Sequence, residues 1–286
     1  ICGGYNGKTT RLADTWEYDI DNDWWTQRAD MPGTVRNAAT GFPVGNKGYI
    51  TTGYNPDQKY LADTWEYDPE TNTWRQMDDF KGGARYYALG FGIDNYGYVG
   101  TGYNDNYLKD FYRFDPTAAA GSQWTIVNGF GGQKRQGATA FVINGKAYVC
   151  GGQNNNSDVS DFWRFDPSAA TPWTQLRDIA NTSDDDYDDD YTSIVRSYGV
   201  SFVIDGKAYL TLGSTAGGSY YSNYWIYDPE TDLWEGDDLT AFEGSTRIHA
   251  VCFSTGTRGI IATGGSGSSS YFDDTWELKP YEYEEE

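Results

Sequence analysis

Five arginines recur at one position in this chain: Arg36, Arg85, Arg135, Arg196 and Arg247. Each heads a short apolar run such as Arg85-Tyr-Tyr-Ala-Leu-Gly-Phe91. Carboxylates answer in the same rhythm at Asp14, Asp63, Asp110, Asp161 and Asp274, with Asn223 in the remaining place. Guanidinium groups left free would hold an anionic ligand, whereas guanidinium groups forked onto carboxylates would be clamps. The shared periodicity favours clamps, expected at one face of the fold. Solvent-exposed pairs of that kind contribute about 0–1 kcal/mol each.

The acidic insertion 181–191 is a second candidate. Its Asp186, Asp188 and Asp190, spaced at every second residue, can present oxygens to calcium, which seeks six to eight of them. The stretch lacks the mid-loop glycine and closing glutamate of an EF-hand. A solvated acidic loop is therefore the default, with calcium an optional organiser. The one histidine, His249, lies in an expected inner strand; that count excludes a metal centre built on imidazoles, and His249 reads as a core residue rather than an acid–base catalyst. The run Gly264-Gly-Ser-Gly-Ser-Ser-Ser270 is glycine-rich, but it joins two strands and has no following helix to complete a phosphate cradle.

The elements that position these groups repeat too. The stretch Asp63-Thr-Trp-Glu-Tyr-Asp-Pro-Glu-Thr-Asn-Thr-Trp74 reads as a strand, an Asp-Pro turn and the start of another strand, and related copies begin at Asp14, Asp110, Asp161, Asn223 and Asp274. Upstream lie two more strands joined by hairpin dipeptides such as Asn144-Gly145 and Asp205-Gly206. One unit is thus four antiparallel strands, here lettered a to d, and successive arginines are 49, 50, 61 and 51 residues apart. A period near fifty, four strands long, predicts a β-propeller blade. The units fall at about 1–31, 32–80, 81–130, 131–191, 192–242 and 243–286 of a single domain. The first begins at strand b, so its innermost place is expected to be filled by residues upstream of Ile1 or by a partner strand. The acidic end of the chain suits an exposed outer strand or a loose tail.

These residues resemble kelch-repeat propellers, whose motif sets a glycine pair at the end of strand b, an aromatic in c and a tryptophan in d. The pair reads as intact at Gly3-Gly4, Gly151-Gly152 and Gly264-Gly265, with Thr52, Thr101 and Leu212 in the first place elsewhere. The resemblance implies an all-β, six-bladed propeller whose first blade lacks its innermost strand. The Tyr-Asn and Asp-Thr-Trp-Glu-Tyr-Asp-Pro variants look most like secreted or surface-attached bacterial kelch proteins. Galactose oxidase carries copper on such a propeller, but with two histidines, so copper is not expected here and no other cofactor is implied.

With a formal net charge of −21, the chain repels phosphate backbones, which argues against nucleic acid as a partner. No apolar run reaches the length of a membrane-spanning helix. Three cysteines cannot all pair, and Cys2 and Cys150 share one strand position, so free buried thiols are expected. The tyrosines outside the strand rhythm are Tyr5, Tyr54, Tyr60, Tyr103, Tyr107, Tyr220, Tyr221 and Tyr271, with Tyr187 and Tyr191 in the insertion. Tyrosine with asparagine is a composition suited to protein or sugar recognition. The expected function is a non-catalytic recognition module, extracytoplasmic at a bacterial surface, binding a protein partner or a glycan. Its expected binding face is Tyr54, Tyr60, Tyr103, Asn104, Tyr107, Asn154, Tyr220 and the loop 184–191. The alternative implied by the resemblance is a sugar-active enzyme of the sialic-acid mutarotase kind, using the arginines.

Overall fold

Asn144 and Gly145 adopt φ of 50° and 72°, and Asp205 and Gly206 adopt 48° and 78°. Two successive left-handed residues make the turn that matches the twist of paired strands. Ile143 accordingly pairs with Lys146 and Ile204 with Lys207, as the hairpin signals predict. The computed structural model describes residues 1–7, 9–236, 240–267 and 269–280. It divides into two compact units: Ile1–Phe130 with Lys134–Gln136, and Gly131–Gln133 with Gly137–Glu286.

The first unit holds three blades. Blade 1 has strands Cys2–Tyr5, Arg11–Asp19 and Trp24–Arg28; blade 2 has Thr40–Val44, Lys47–Thr51, Thr64–Asp68 and Thr73–Met77; blade 3 has Leu89–Ile93, Tyr96–Gly100, Phe111–Phe114 and Trp124–Val127. The second unit holds blade 4 (Thr139–Ile143, Lys146–Cys150, Trp163–Phe165, Trp173–Gln175), blade 5 (Val200–Ile204, Lys207–Thr211, Trp225–Asp228, Leu233–Glu235) and blade 6 (Val251–Ser254, Gly259–Ala262, Thr275–Leu278). Each is an antiparallel sheet in sequence order, and the fold is an all-β, six-bladed β-propeller. Among the described residues, blade 1 shows strands b, c and d and no strand a, as expected. The acidic segment 281–286 lies outside the described residues.

Within each unit the core lies between neighbouring sheets. Phe42, Val44 and Tyr49 of blade 2 pack on Val99, Phe114 and Trp124 of blade 3, while Phe141 and Tyr148 of blade 4 pack on Tyr227 and Trp234 of blade 5. Strands a and b are largely buried, and strand d carries exposed positions between its buried ones. The repeated aromatics therefore serve as the packing wedges expected of them. Cys2, Cys150 and Cys252 are free thiols.

The glycine pair differs from the sequence reading in blade 6. Left-handed backbone recurs at Gly3, Thr52, Thr101, Gly151, Leu212 and Thr263, so the sixth pair is Thr263-Gly264 and not Gly264-Gly265. The first position takes threonine or leucine in four blades, although a Cβ on Gly151 would lie 2.3 Å from the Arg196 carbonyl oxygen; the second position is glycine throughout. There the amides of Gly53 and Gly152 donate to the carbonyls of Arg85 and Arg196 on the following blade, both at 2.8 Å. A Cβ on Gly53 would lie 3.1 Å from the Asn37 carbonyl oxygen.

Candidate functional site

All five repeat arginines are 0–1% exposed, and three of them are clamps whose aspartate side chains stay 21–38% exposed. Arg36 reaches Asp63 through Nη1 at 2.7 Å and Nη2 at 2.5 Å, Arg85 reaches Asp110 at 2.6 and 2.9 Å, and Arg247 forks onto Asp274. Each of these three also donates Nη1 to the carbonyl of the left-handed residue ending strand b, namely Thr52, Thr101 or Thr263. The clamp therefore ties strands b and c to the segment leading into strand a. In blade 5 the partner is Asn223, whose Oδ1 accepts from Arg196 at 3.1 Å. Burial pulls Arg196 down to about 10, which leaves it charged at neutral pH. Arg135 and Asp161 are both buried, and Asp161 accepts the Gln133 amide at 2.8 Å. Asp14 accepts the Trp16 indole at 2.7 Å, the same Asp-x-Trp bond made at Asp63 and Asp274.

The insertion is solvated, as expected, along most of its length: Asp184, Asp185, Asp186, Asp189 and Asp190 are exposed, and two residues anchor it. Asp188 is fully buried; its Oδ2 accepts the amides of Thr182 and Ser183, both at 2.9 Å, and its Oδ1 accepts the Ser183 hydroxyl. Tyr191 is buried, and its hydroxyl accepts the Trp234 amide at 2.7 Å. Asp188 and Tyr191 thus anchor the stretch against blades 4 and 5, while the other five aspartates face solvent. Among the described residues, no group of three or more His, Cys, Asp or Glu side chains is placed to hold a metal ion.

Burial alone would raise the Asp188 carboxyl, but the amide bonds outweigh it and its pKa is lowered. A depressed carboxyl stabilises the fold above its unfolded value of about 3.9 and loses that contribution as pH falls through the folded value. Asp188→Asn is therefore expected to lower the thermal midpoint at pH 7, with the difference from wild type closing at pH 2. Calcium chloride raising the wild-type midpoint, but not that of the variant, would return the metal reading.

Four expected tyrosines do converge, and a fifth organises them. In the first unit Tyr86 stacks on Tyr60 with centroids 5.6 Å apart and an interplanar angle of 6°. It also meets Tyr54 and Tyr103, both at 5.7 Å, and Tyr103 meets Tyr107 at 5.0 Å. All five rings are half-buried. The Tyr60 hydroxyl donates to Asp105 at 2.7 Å, and desolvation followed by that bond raises its pKa. Asn104 adjoins Asp105 on the same loop. Arg11 lies over Tyr5 at 4.2 Å and Tyr54 at 5.6 Å, braced by Asn37 at 2.8 Å. The face thus offers stacked aromatic surface edged by one cation and one carboxylate. Asn154 and Tyr220 fall in the second unit, where the Tyr220 hydroxyl accepts the Gly267 amide at 2.9 Å.

Sequence reasoning missed Tyr86, Arg11 and Asp105. A signal existed: the residue after each repeat arginine is Asn37, Tyr86, Gln136, Ser197 or Ile248, variable beside an invariant neighbour. Several of these pair with the loop after strand b, as Tyr86 does with Tyr103. The next position is left-handed at Ala38, Tyr87, Gly137, Tyr198 and His249, with φ between 51° and 63°. His249 is accordingly not a core side chain. It is exposed to solvent, and partial desolvation of the imidazole lowers its pKa to about 4.

The kelch motif is matched at residues 43–81 and 134–176, within blades 2 and 4. With the blade architecture this defines the class: a six-bladed β-propeller that carries the kelch motif in blades 2 and 4. Among characterised proteins it is similar to the N-acetylneuraminate epimerases of Yersinia pestis (strain Pestoides F) and Yersinia pseudotuberculosis serotype O:1b (strain IP 31758), 29% identical over 164 residues. That match spans 47% of this chain and 41% of each relative. The solved structure of YjhT superposes with a TM-score of 0.73 over 93% of this chain and 87% of that one, at 15% identity, a likeness of fold.

Proposed function

We propose that the chain is a non-catalytic recognition module that binds a glycan through the tyrosine face of the first unit. The observation that carries this reading is the Tyr54–Tyr60–Tyr86–Tyr103–Tyr107 cluster with Arg11 and Asp105 at its edge. Half-buried rings in loops on a sheet scaffold present broad apolar faces that match the C–H faces of a pyranose, while asparagine and aspartate take its hydroxyls. A saccharide ligand is supported by the likeness to N-acetylneuraminate epimerases. Absence of catalysis is supported by the arginines: Arg36, Arg85 and Arg247 are buried and bound to aspartate, so they are not held out to an anionic substrate. An extracytoplasmic, surface-attached setting belongs to the same proposal and rests on the repeat variants alone.

Calorimetry against galactose, N-acetylglucosamine and N-acetylneuraminate is the test. Tyr60→Ala and Tyr103→Ala are each expected to weaken binding at least tenfold, about 1.4 kcal/mol, with little change in thermal midpoint. Full affinity in both variants would move the site elsewhere. A second reading, a sugar epimerase or mutarotase, is favoured by the same relatives. It requires that catalytic amounts of the protein speed anomer exchange of N-acetylneuraminate measured by NMR; an unchanged rate removes it.

A further inference from the structure

In the second unit, three polar groups outside the tyrosine face meet where the segment after the repeat arginine turns into strand a. Tyr198 and His249 both sit in left-handed backbone, at φ of 57° and 59°. The same left-handed place holds Ala38, Tyr87 and Gly137 in blades 2, 3 and 4, so the backbone belongs to the repeat and the side chains are what differ here. The two rings meet edge to face at 4.5 Å. Tyr198 is fixed from two further sides: its amide donates to the Gly137 carbonyl at 2.8 Å, and its hydroxyl accepts Gln153 Nε2 at 2.7 Å. Gly137 leaves room for this arrangement, since a Cβ there would run into the Tyr198 ring. The equivalent place is alanine, Ala38, in blade 2 and tyrosine, Tyr87, in blade 3, so the repeat does not fix this side-chain set.

We infer that His249, Tyr198 and Gln153 form a second saccharide subsite, one that takes the vicinal hydroxyls of a neutral pyranose. The inference rests on the saccharide reading above and adds a place and a chemistry to it. Neutral imidazole carries one donor and one acceptor, a phenol does both, and a carboxamide adds a carbonyl oxygen. This is an uncharged, alternating set that complements hydroxyl groups, which also donate and accept. His249 stays neutral at pH 7, consistent with its desolvation. Its contact with solvent gives a ligand access to the imidazole.

The chain's single histidine makes the test direct. The imidazole resonances of His249 are followed by NMR at pH 7 while galactose, N-acetylglucosamine and N-acetylneuraminate are added, with sodium acetate as a control for charge alone. The expected result is a saturable shift with the neutral sugars and none with acetate. Tyr198→Phe and Gln153→Ala are expected to weaken the affinity read from that shift at least tenfold, and Trp24→Ala, an exposed position outside both sites, is expected to leave it unchanged. Should Tyr198→Phe fail to fold, Gln153→Ala and the wild-type titration decide. If calorimetry detects sugar binding that Tyr60→Ala abolishes while the His249 signal stays still, the subsite is refuted and the tyrosine face stands. A shift that persists undiminished in Gln153→Ala and Tyr198→Phe also refutes it, and no binding by either method ends both readings.

Discussion

Arg85→Ala is expected to lower the free energy of unfolding by about 3–5 kcal/mol, the usual cost of removing one partner from a buried ion pair. The guanidinium is 1% exposed and satisfies five acceptors: both oxygens of Asp110 and the carbonyls of Thr101, Gly82 and Gly83. It also lies 4.9 Å from the centre of the Phe80 ring. Alanine leaves the carboxylate and three carbonyls without these donors, and strands b and c lose their common tie. Arg85→Lys keeps the charge but not the fork, so it is expected to fall between wild type and alanine. Urea unfolding of the three proteins checks this. An alanine variant within 1 kcal/mol of wild type would mean that the clamp is ornamental and that surface-pair energetics were the better description.

The arginine and aspartate periodicity was legible because both members of the clamp repeat with the blade. Its burial was not, since sequence spacing gives a partner but not a depth, and five arginines rank poorly on any expectation of what lies inside a protein. Hairpin positions could be read to the residue: Asn144-Gly145 and Asp205-Gly206 each supply two left-handed residues. The blade 6 glycine pair was misread by one residue because Thr263 adopts a conformation that glycine usually supplies. In the insertion composition was right for five of the six aspartates, which are exposed, and silent on the anchors: Asp188 serves as a buried acceptor for two amides and Tyr191 as one for the Trp234 amide. For the candidate site, loops rich in tyrosine pointed to Tyr54, Tyr60, Tyr103 and Tyr107, while Tyr86 was hidden by its place in a segment assigned to packing. The left-handed backbone of Tyr198 and His249 leaves no compositional trace at all.

Trp124→Ala is the other change expected to cost about 3–5 kcal/mol, the range for emptying a buried aromatic site. Trp124 is 2% exposed and packs against Phe114, Phe80 and Phe42 with centroids 4.7, 4.8 and 6.2 Å away. Those rings come from blades 2 and 3 and the segment between them, so the cavity opens between two sheets, where neither backbone can collapse without moving the other. The indole also donates to the Asp78 carbonyl at 3.0 Å, repeating the bond from Trp74 to the Ala29 carbonyl one blade earlier. In blades 2 and 3 such a bond fastens the blade to the chain leaving its predecessor, whereas the Trp234 indole of blade 5 makes no hydrogen bond among the described residues and serves packing alone. Trp124→Phe should therefore keep much of the packing and lose the bond, falling short of wild type by less than alanine does. Trp24 is the control. It lies at the start of the matching strand but is 59% exposed, so Trp24→Ala should stay within about 0.5 kcal/mol of wild type. Equal losses for Trp24→Ala and Trp124→Ala in urea unfolding would show that the wedge between the sheets does not set the stability of this unit.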